Sequence, residues 1–77
     1  MRAIVAVADG SNETEAITVI DVLRRAGVEV VCAKVGGDGL EVEMARGVRV
    51  LADKHLDDAL ADMIVLPGGL KGAENFA

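Results

Sequence analysis

Two places in this chain put groups with usable chemistry next to hydrophobic runs. The first is Glu15, which follows Asn12 by three residues and comes shortly after the run Ala3-Ile4-Val5-Ala6-Val7-Ala8. The second is Pro67-Gly68-Gly69, which ends the run Met63-Ile64-Val65-Leu66. A carboxyl group can carry a proton to and from a reacting atom. Backbone N–H groups left free after a strand can bind a developing oxyanion or an oxidised sulfur. Each feature also has a plainer reading. Asn12 and Glu15 have capping-box spacing, and a carboxylate in a first helical turn stabilises the helix by roughly 0.5–1 kcal/mol. Pro-Gly-Gly on its own is a strand-to-helix turn, because proline ends the ladder and glycine takes positive φ.

The remaining candidates carry less. Cys32 lies among Val30, Val31 and Val35, where a buried thiol is inert. His55 has no neighbouring histidine or cysteine to complete a metal site, so no metal is expected and a surface position is. Arg46 sits at a hairpin tip, where it is either solvated or reaches a partner subunit. Asp57-Asp58 reads as a solvated helix face. There is no Gly-Lys-Ser/Thr and Gly10 is alone in its loop, so neither phosphate-binding fingerprint is present and no cofactor is expected.

Composition narrows the classes. The chain has 77 residues, enough for one small domain at most, and 52% of them are hydrophobic with Phe76 the single aromatic. Chains this short bury only roughly 60–65% of their unfolded surface. So much Val, Ala, Leu and Ile exceeds what the chain alone can cover, and a partner chain or continuation is expected to supply the rest. The net charge of −5 without a basic stripe argues against nucleic acid. The run from Ala3 to Ala8 is too short to span a bilayer, and Asp9 interrupts it before signal-peptide length. A single cysteine makes no internal disulfide, which suits a reducing, cytoplasmic setting.

These groups must be positioned by an α/β arrangement. Ala3 to Ala8 is expected to be a buried strand. A helix starting at Asn12 buries Ala16, Ile20, Leu23 and Gly27 and ends at Gly27, with Arg24 and Arg25 in its last turn. A second strand runs from Val28 to Val35 and completes a right-handed βαβ unit. Leu40 to Met44 and Val48 to Val50 alternate as an antiparallel hairpin appended to the sheet. Asp53 to Asp62 reads as a short helix or turn. Met63 to Leu66 reads as a strand buried on both faces, and Gly72 to Phe76 as the first turn of another helix.

Three stretches taken together are specific: Ala8-Asp9-Gly10-Ser11-Asn12-Glu13-Thr14-Glu15-Ala16, then Asp21-Val22-Leu23-Arg24-Arg25-Ala26-Gly27, then Val65-Leu66-Pro67-Gly68-Gly69-Leu70-Lys71-Gly72-Ala73-Glu74. In this order and spacing they resemble the ThiJ/PfpI superfamily, in the branch of the Parkinson-associated redox and deglycase proteins and bacterial YajL. Arg46-Gly47-Val48 and Leu51-Ala52-Asp53 fit the same branch. The resemblance covers essentially the whole chain.

It implies a flavodoxin-like α/β sandwich with a mostly parallel sheet and an appended β-hairpin. Residues 1–77 would be the N-terminal part of a single domain, completed by a C-terminal complement, and the completed subunit would be a homodimer. Either a nick after Phe76 with both pieces still assembled or a truncated chain would account for this, and the assembled form is the expectation, since parallel strands with open edges are poorly soluble alone. By the same resemblance Glu15 is the catalytic glutamate, and Gly68 and Gly69 supply the oxyanion or sulfinate amides. The nucleophilic cysteine, on a strained strand-to-helix elbow, and a nearby histidine lie beyond residue 77. Arg46 is matched to an arginine that contacts the partner subunit. The family often pairs it with an acidic residue where this chain has Asn12, so the contact is altered here.

The implied activity is a cysteine-dependent glyoxalase or deglycase acting on methylglyoxal-type carbonyls or their protein adducts. A charged Glu15 would repel a thiolate, so it is expected to hold a proton and donate a hydrogen bond to sulfur. The competing reading is a redox sensor or chaperone whose cysteine is oxidised to sulfinate without turnover. A nucleotide- or flavin-binding domain is disfavoured by the missing phosphate loop.

Overall fold

The computed structural model describes residues 1–56 and 61–67. Its centre is β1 (Arg2–Val7), whose residues from Ala3 onward are all buried. Such a run has no alternation because both faces of the strand are covered. On one side β1 pairs in parallel with β2 (Glu29–Lys34), Val5 lying beside Cys32. On the other it pairs in parallel with β6 (Met63–Val65), Ile4 lying beside Ile64. A two-residue β5 (Lys54–His55) adds to β2, giving the four-stranded order β5-β2-β1-β6. The expected parallel sheet is therefore present.

Helix α1 (Glu13–Arg25) crosses over between β1 and β2. Its start follows the anticipated cap: the Asn12 side chain accepts the Glu15 N–H at 3.0 Å. Its end is a Schellman motif. Gly27 N–H donates to the Arg24 carbonyl at 3.1 Å, Val28 N–H donates to that of Leu23 at 3.0 Å, and Gly27 has φ +84°. Between these ends, Ala16, Val19, Ile20 and Leu23 pack on Val5, Val7, Val30 and Cys32. The opposite face of the sheet holds a smaller cluster of Ile4, Val31 and Ala33 with Leu56.

β3 (Glu41–Glu43) and β4 (Arg49–Leu51) form the expected antiparallel hairpin, with Val42 opposite Val50. It is a sheet of its own and does not extend the parallel ladder. It packs on the α1 side, where Val42 and Met44 are buried in the main core. Polar bonds fix it to the β1–α1 loop. Gly10 N–H donates to the Glu43 carbonyl at 2.9 Å, and Glu43 N–H to the Asp9 carboxylate at 3.1 Å. Ala45 N–H donates to the Ser11 carbonyl at 2.9 Å, and Arg46 N–H to the Glu13 carboxylate at 2.8 Å. The loop is closed internally by Ser11, fully buried, whose hydroxyl accepts the Ala8 N–H at 2.9 Å.

One expectation is corrected. The segment from Asp53 is not helical at its start: Lys54 and His55 are strand β5. Asp53 begins it by donating its N–H to the Cys32 carbonyl (2.7 Å) while its carboxylate accepts the Cys32 N–H (2.9 Å). A strand this short shows no periodicity, so only pairing reveals it. Within this chain Ile64 is 56% exposed and Leu66 58% exposed, so its own residues cover only one face of the β6 run, in keeping with the expected need for further cover. β6 is bonded to β1, and Ile64 falls on the face away from α1. The rest of the Asp53–Asp62 expectation at residues 57–60, with Asp57-Asp58, and the helix expected from Gly72 lie outside the described residues.

Both ends of α1 can be tested by denaturant unfolding of the full-length protein. A Cβ at Gly27 would meet nothing within 4 Å, so Gly27→Ala carries only the cost of left-handed backbone. It should lower stability by about 1–2 kcal/mol. Ser11→Ala leaves the Ala8 N–H without its buried acceptor and should cost about 1–3 kcal/mol. A Gly27→Ala protein as stable as the parent would contradict the cap assignment.

Candidate functional site

Because β1 lies between β2 and β6, the chain leaves β1 to one side first and later returns on the other. The carboxyl ends of β1 and β6 therefore flank a switch point, the position where open α/β sheets form ligand crevices. The structure places Glu15 and Pro67 together there. Both line a cavity of about 370 Å³, with Thr14, Thr18, Val19, Val65 and Leu66 as its other walls.

Each wall follows from local sequence. The turn formers Asp9-Gly10-Ser11-Asn12 stop β1 and start α1, and this sets Glu15 in the first helical turn. There the unpaired N–H groups and the helix dipole favour negative charge on a species beside the helix start. The Glu15 side chain is exposed, and no described residue hydrogen-bonds its carboxylate, while its backbone N–H donates to the Asn12 side chain. The capping box is thus half formed, and Glu15 contributes to the cavity wall without a hydrogen bond from its carboxylate to any described residue. Pro67 is buried two residues beyond the end of β6. Gly68 and Gly69 lie outside the described residues.

Arg46 stands at the hairpin tip, exposed, with its backbone tied to Glu13. Sequence reasoning had no role for Asp9, Ser11 or Glu13, yet these residues hold the loop that aims Glu15. A turn-former cluster signals a loop, but not which of its side chains will fold back onto the backbone.

Cys32 is elsewhere, at the wall of a second cavity between α1 and the hairpin, near Arg24, Met44 and Asp53. Burial pushes its thiol pKa up, the Asp53 carboxylate adds to the rise, and the Arg24 cation partly opposes it. A thiol held this way is a poor nucleophile at neutral pH, which agrees with its reading as a core residue. His55 is half-buried at the end of β5. Among the described residues no cluster of His, Cys, Asp and Glu could hold a metal ion. Among them, too, no helix is long and apolar enough to cross a membrane.

The same fold recurs in known proteins. The DJ-1/PfpI family profile matches residues 1–77. The chain is 53% identical to Protein DJ-1 homolog B of Arabidopsis thaliana, over 99% of this chain and 18% of that protein. It is 40% identical to the Parkinson disease protein 7 homolog of Danio rerio, over 99% of this chain and 42% of that protein. Among solved structures, oxidized DJ-1 from Toxoplasma gondii superposes with a TM-score of 0.88 at 48% identity, covering 96% of this chain and 41% of that one. The chain thus spans well under half the length of these relatives. The matched length takes in the whole β1–α1 junction and the strand leading to Pro67, and on this ground the chain belongs to the DJ-1/PfpI family.

Proposed function

We propose that this chain contributes Glu15 and the Pro67-Gly68-Gly69 turn to a cysteine-dependent glyoxalase or deglycase. Its nucleophilic cysteine would be supplied by the C-terminal complement of the subunit. The observation that carries the reading is that Glu15 and Pro67, far apart in sequence, line one cavity at the switch point with the Glu15 carboxyl uncommitted to any described residue. Family membership supports it.

With methylglyoxal as substrate, the thiolate adds to the aldehyde carbon, and the proton of Glu15 passes to the carbonyl oxygen to give a neutral hemithioacetal. The Glu15 carboxylate then removes the C1 proton and returns it to C2, while the C1 hydroxyl proton moves to the C2 oxygen. The product is a lactoyl thioester. Water cleaves it to lactate, the sulfur leaves as thiolate, and one of the two protons released restores Glu15. Amides of Gly68 and Gly69 would face the oxyanion formed in the first and last steps. Cys32 has no part in this chemistry. The completed subunit would pair with a second copy, with Arg46 at that contact, and would need no cofactor.

The redox reading has its own support in the oxidized form of the Toxoplasma gondii relative. There the same groups would act without turnover, a protonated Glu15 donating to a sulfinate oxygen in place of a thiolate.

In the full-length protein, Glu15→Gln should lower methylglyoxal turnover by about 10²–10⁴-fold with unchanged unfolding stability. Turnover equal to that of the parent would remove Glu15 from the mechanism. Absence of turnover in parent and variant alike, with ready oxidation of the elbow cysteine, would favour the sensor reading. Iodoacetamide applied to native protein should leave Cys32 unmodified while it reacts after denaturation, read by peptide mass spectrometry. Rapid native labelling of Cys32 would contradict its assignment to the core.

A further inference from the structure

The four-stranded sheet has another cavity at its carboxyl edge, on the opposite flank from Glu15. It lies where β2 and β5 stop, has a volume of about 270 Å³, and is lined by Lys34, Val35, Gly36, Gly37, His55 and Leu56. Lys34 and His55 are neighbours in register across the β2–β5 pair, so both side chains leave the sheet on the same side.

Lys34 is the unusual member. It is only 6% exposed, the sole charged residue buried among the described residues. Its Nζ donates one hydrogen bond, to the Asp38 carbonyl at 3.1 Å. An ammonium has three donors, which leaves two for other acceptors. Among the described residues no carboxylate comes within ion-pair distance of it. One neutral carbonyl offsets little of the cost of taking a cation out of bulk water, and an anionic acceptor would offset far more.

The loop beyond Lys34 is shaped to admit one. Gly36 and Gly37 have φ of +78° and +70°. A Cβ at Gly37 would lie 3.4 Å from Lys34 Nζ, so glycine brings bare backbone up to the ammonium. His55 adds a ring N–H donor on the same cavity. A volume below the roughly 300–1,000 Å³ of drug-sized pockets suits a small ion. The chain carries net charge −5, so an anion would be held by local geometry and not drawn in by the overall field.

We propose that this cavity binds a small oxyanion, a phosphate or a short carboxylate, with Lys34 as its charge partner and His55 as a second donor. The site is separate from the Glu15 cavity and stands or falls independently of the proposed activity.

The test is a titration of the full-length, ¹⁵N-labelled protein at constant ionic strength with sodium phosphate, sodium acetate or sodium chloride, read by amide chemical shifts. Saturable shifts at Gly36, Gly37 and His55 with phosphate or acetate, absent with chloride, are expected. The anion that saturates at lower concentration identifies the source. Lys34→Arg should keep the response. Lys34→Gln should weaken it at least tenfold while the Glu15 amide, on the other flank of the sheet, keeps its position. Linear shifts in the parent protein, shared by chloride, would overturn the proposal. So would saturation of Lys34→Gln at the parent's concentration.

Discussion

Every strand of the main sheet is hydrogen-bonded to β1 either directly or through β2. That constraint decides most of the architecture. A central parallel strand must be apolar on both faces, which accounts for the unbroken run from Ala3 to Ala8. The first crossover, through α1, takes the chain to one side of β1, and β6 then occupies the other. The crevice at the carboxyl end of β1 is a consequence of this order and needs no special residue to create it. What the sequence adds is the chemistry lining it: a carboxyl group from the first helical turn and a proline that ends the neighbouring strand.

Holding that carboxyl group in place falls to the hairpin. α1 alone would leave the loop 9–12 free to shift, and Glu15 would shift with it. Gly10, Ser11 and Glu13 are each bonded to the hairpin segment from Glu43 to Arg46, and Val42 and Met44 anchor that segment in the core under α1. Apolar burial fixes the hairpin and polar bonds carry that rigidity to the loop. The exposed ion pairs add little by comparison. Arg49 lies near both Glu41 and Glu43, and Arg2 lies 2.8 Å from Glu29, but such surface pairs are screened by solvent. The Arg2 guanidinium does hold the Glu29 carboxyl below its usual range, a favourable contact that is lost as pH falls through that lowered pKa.

Much of this could be read from residue order. The cap at Asn12, the stop at Gly27, the buried β1 run and the hairpin alternation are local signals with local causes, and each appears where expected. Glu15 could be singled out as a candidate because a carboxylate just after a strand end is visible in one dimension. β5 was not, because two residues have no period and its existence depends on Asp53 pairing with Cys32. The apolar run at β6 says that covering both faces would be favourable, and this chain's own residues leave the face with Ile64 open. Ser11 and Glu13 gave no sign of their clamping roles, since those bonds join parts of the chain that only the fold brings together. The environment of Lys34 was equally silent, because nothing in the order of residues shows that this lysine points inward.

The central claim is that Glu15 and the Pro67 turn belong to one thiolate site at the β1–β6 switch point. The most direct measurement is a high-resolution crystal structure of the complete, reduced subunit. The account predicts the Glu15 carboxyl within hydrogen-bond distance of the sulfur of the elbow cysteine, with the amides after Pro67 turned toward the same point. A Glu15 side chain directed to solvent, with that sulfur in a different crevice, would contradict it.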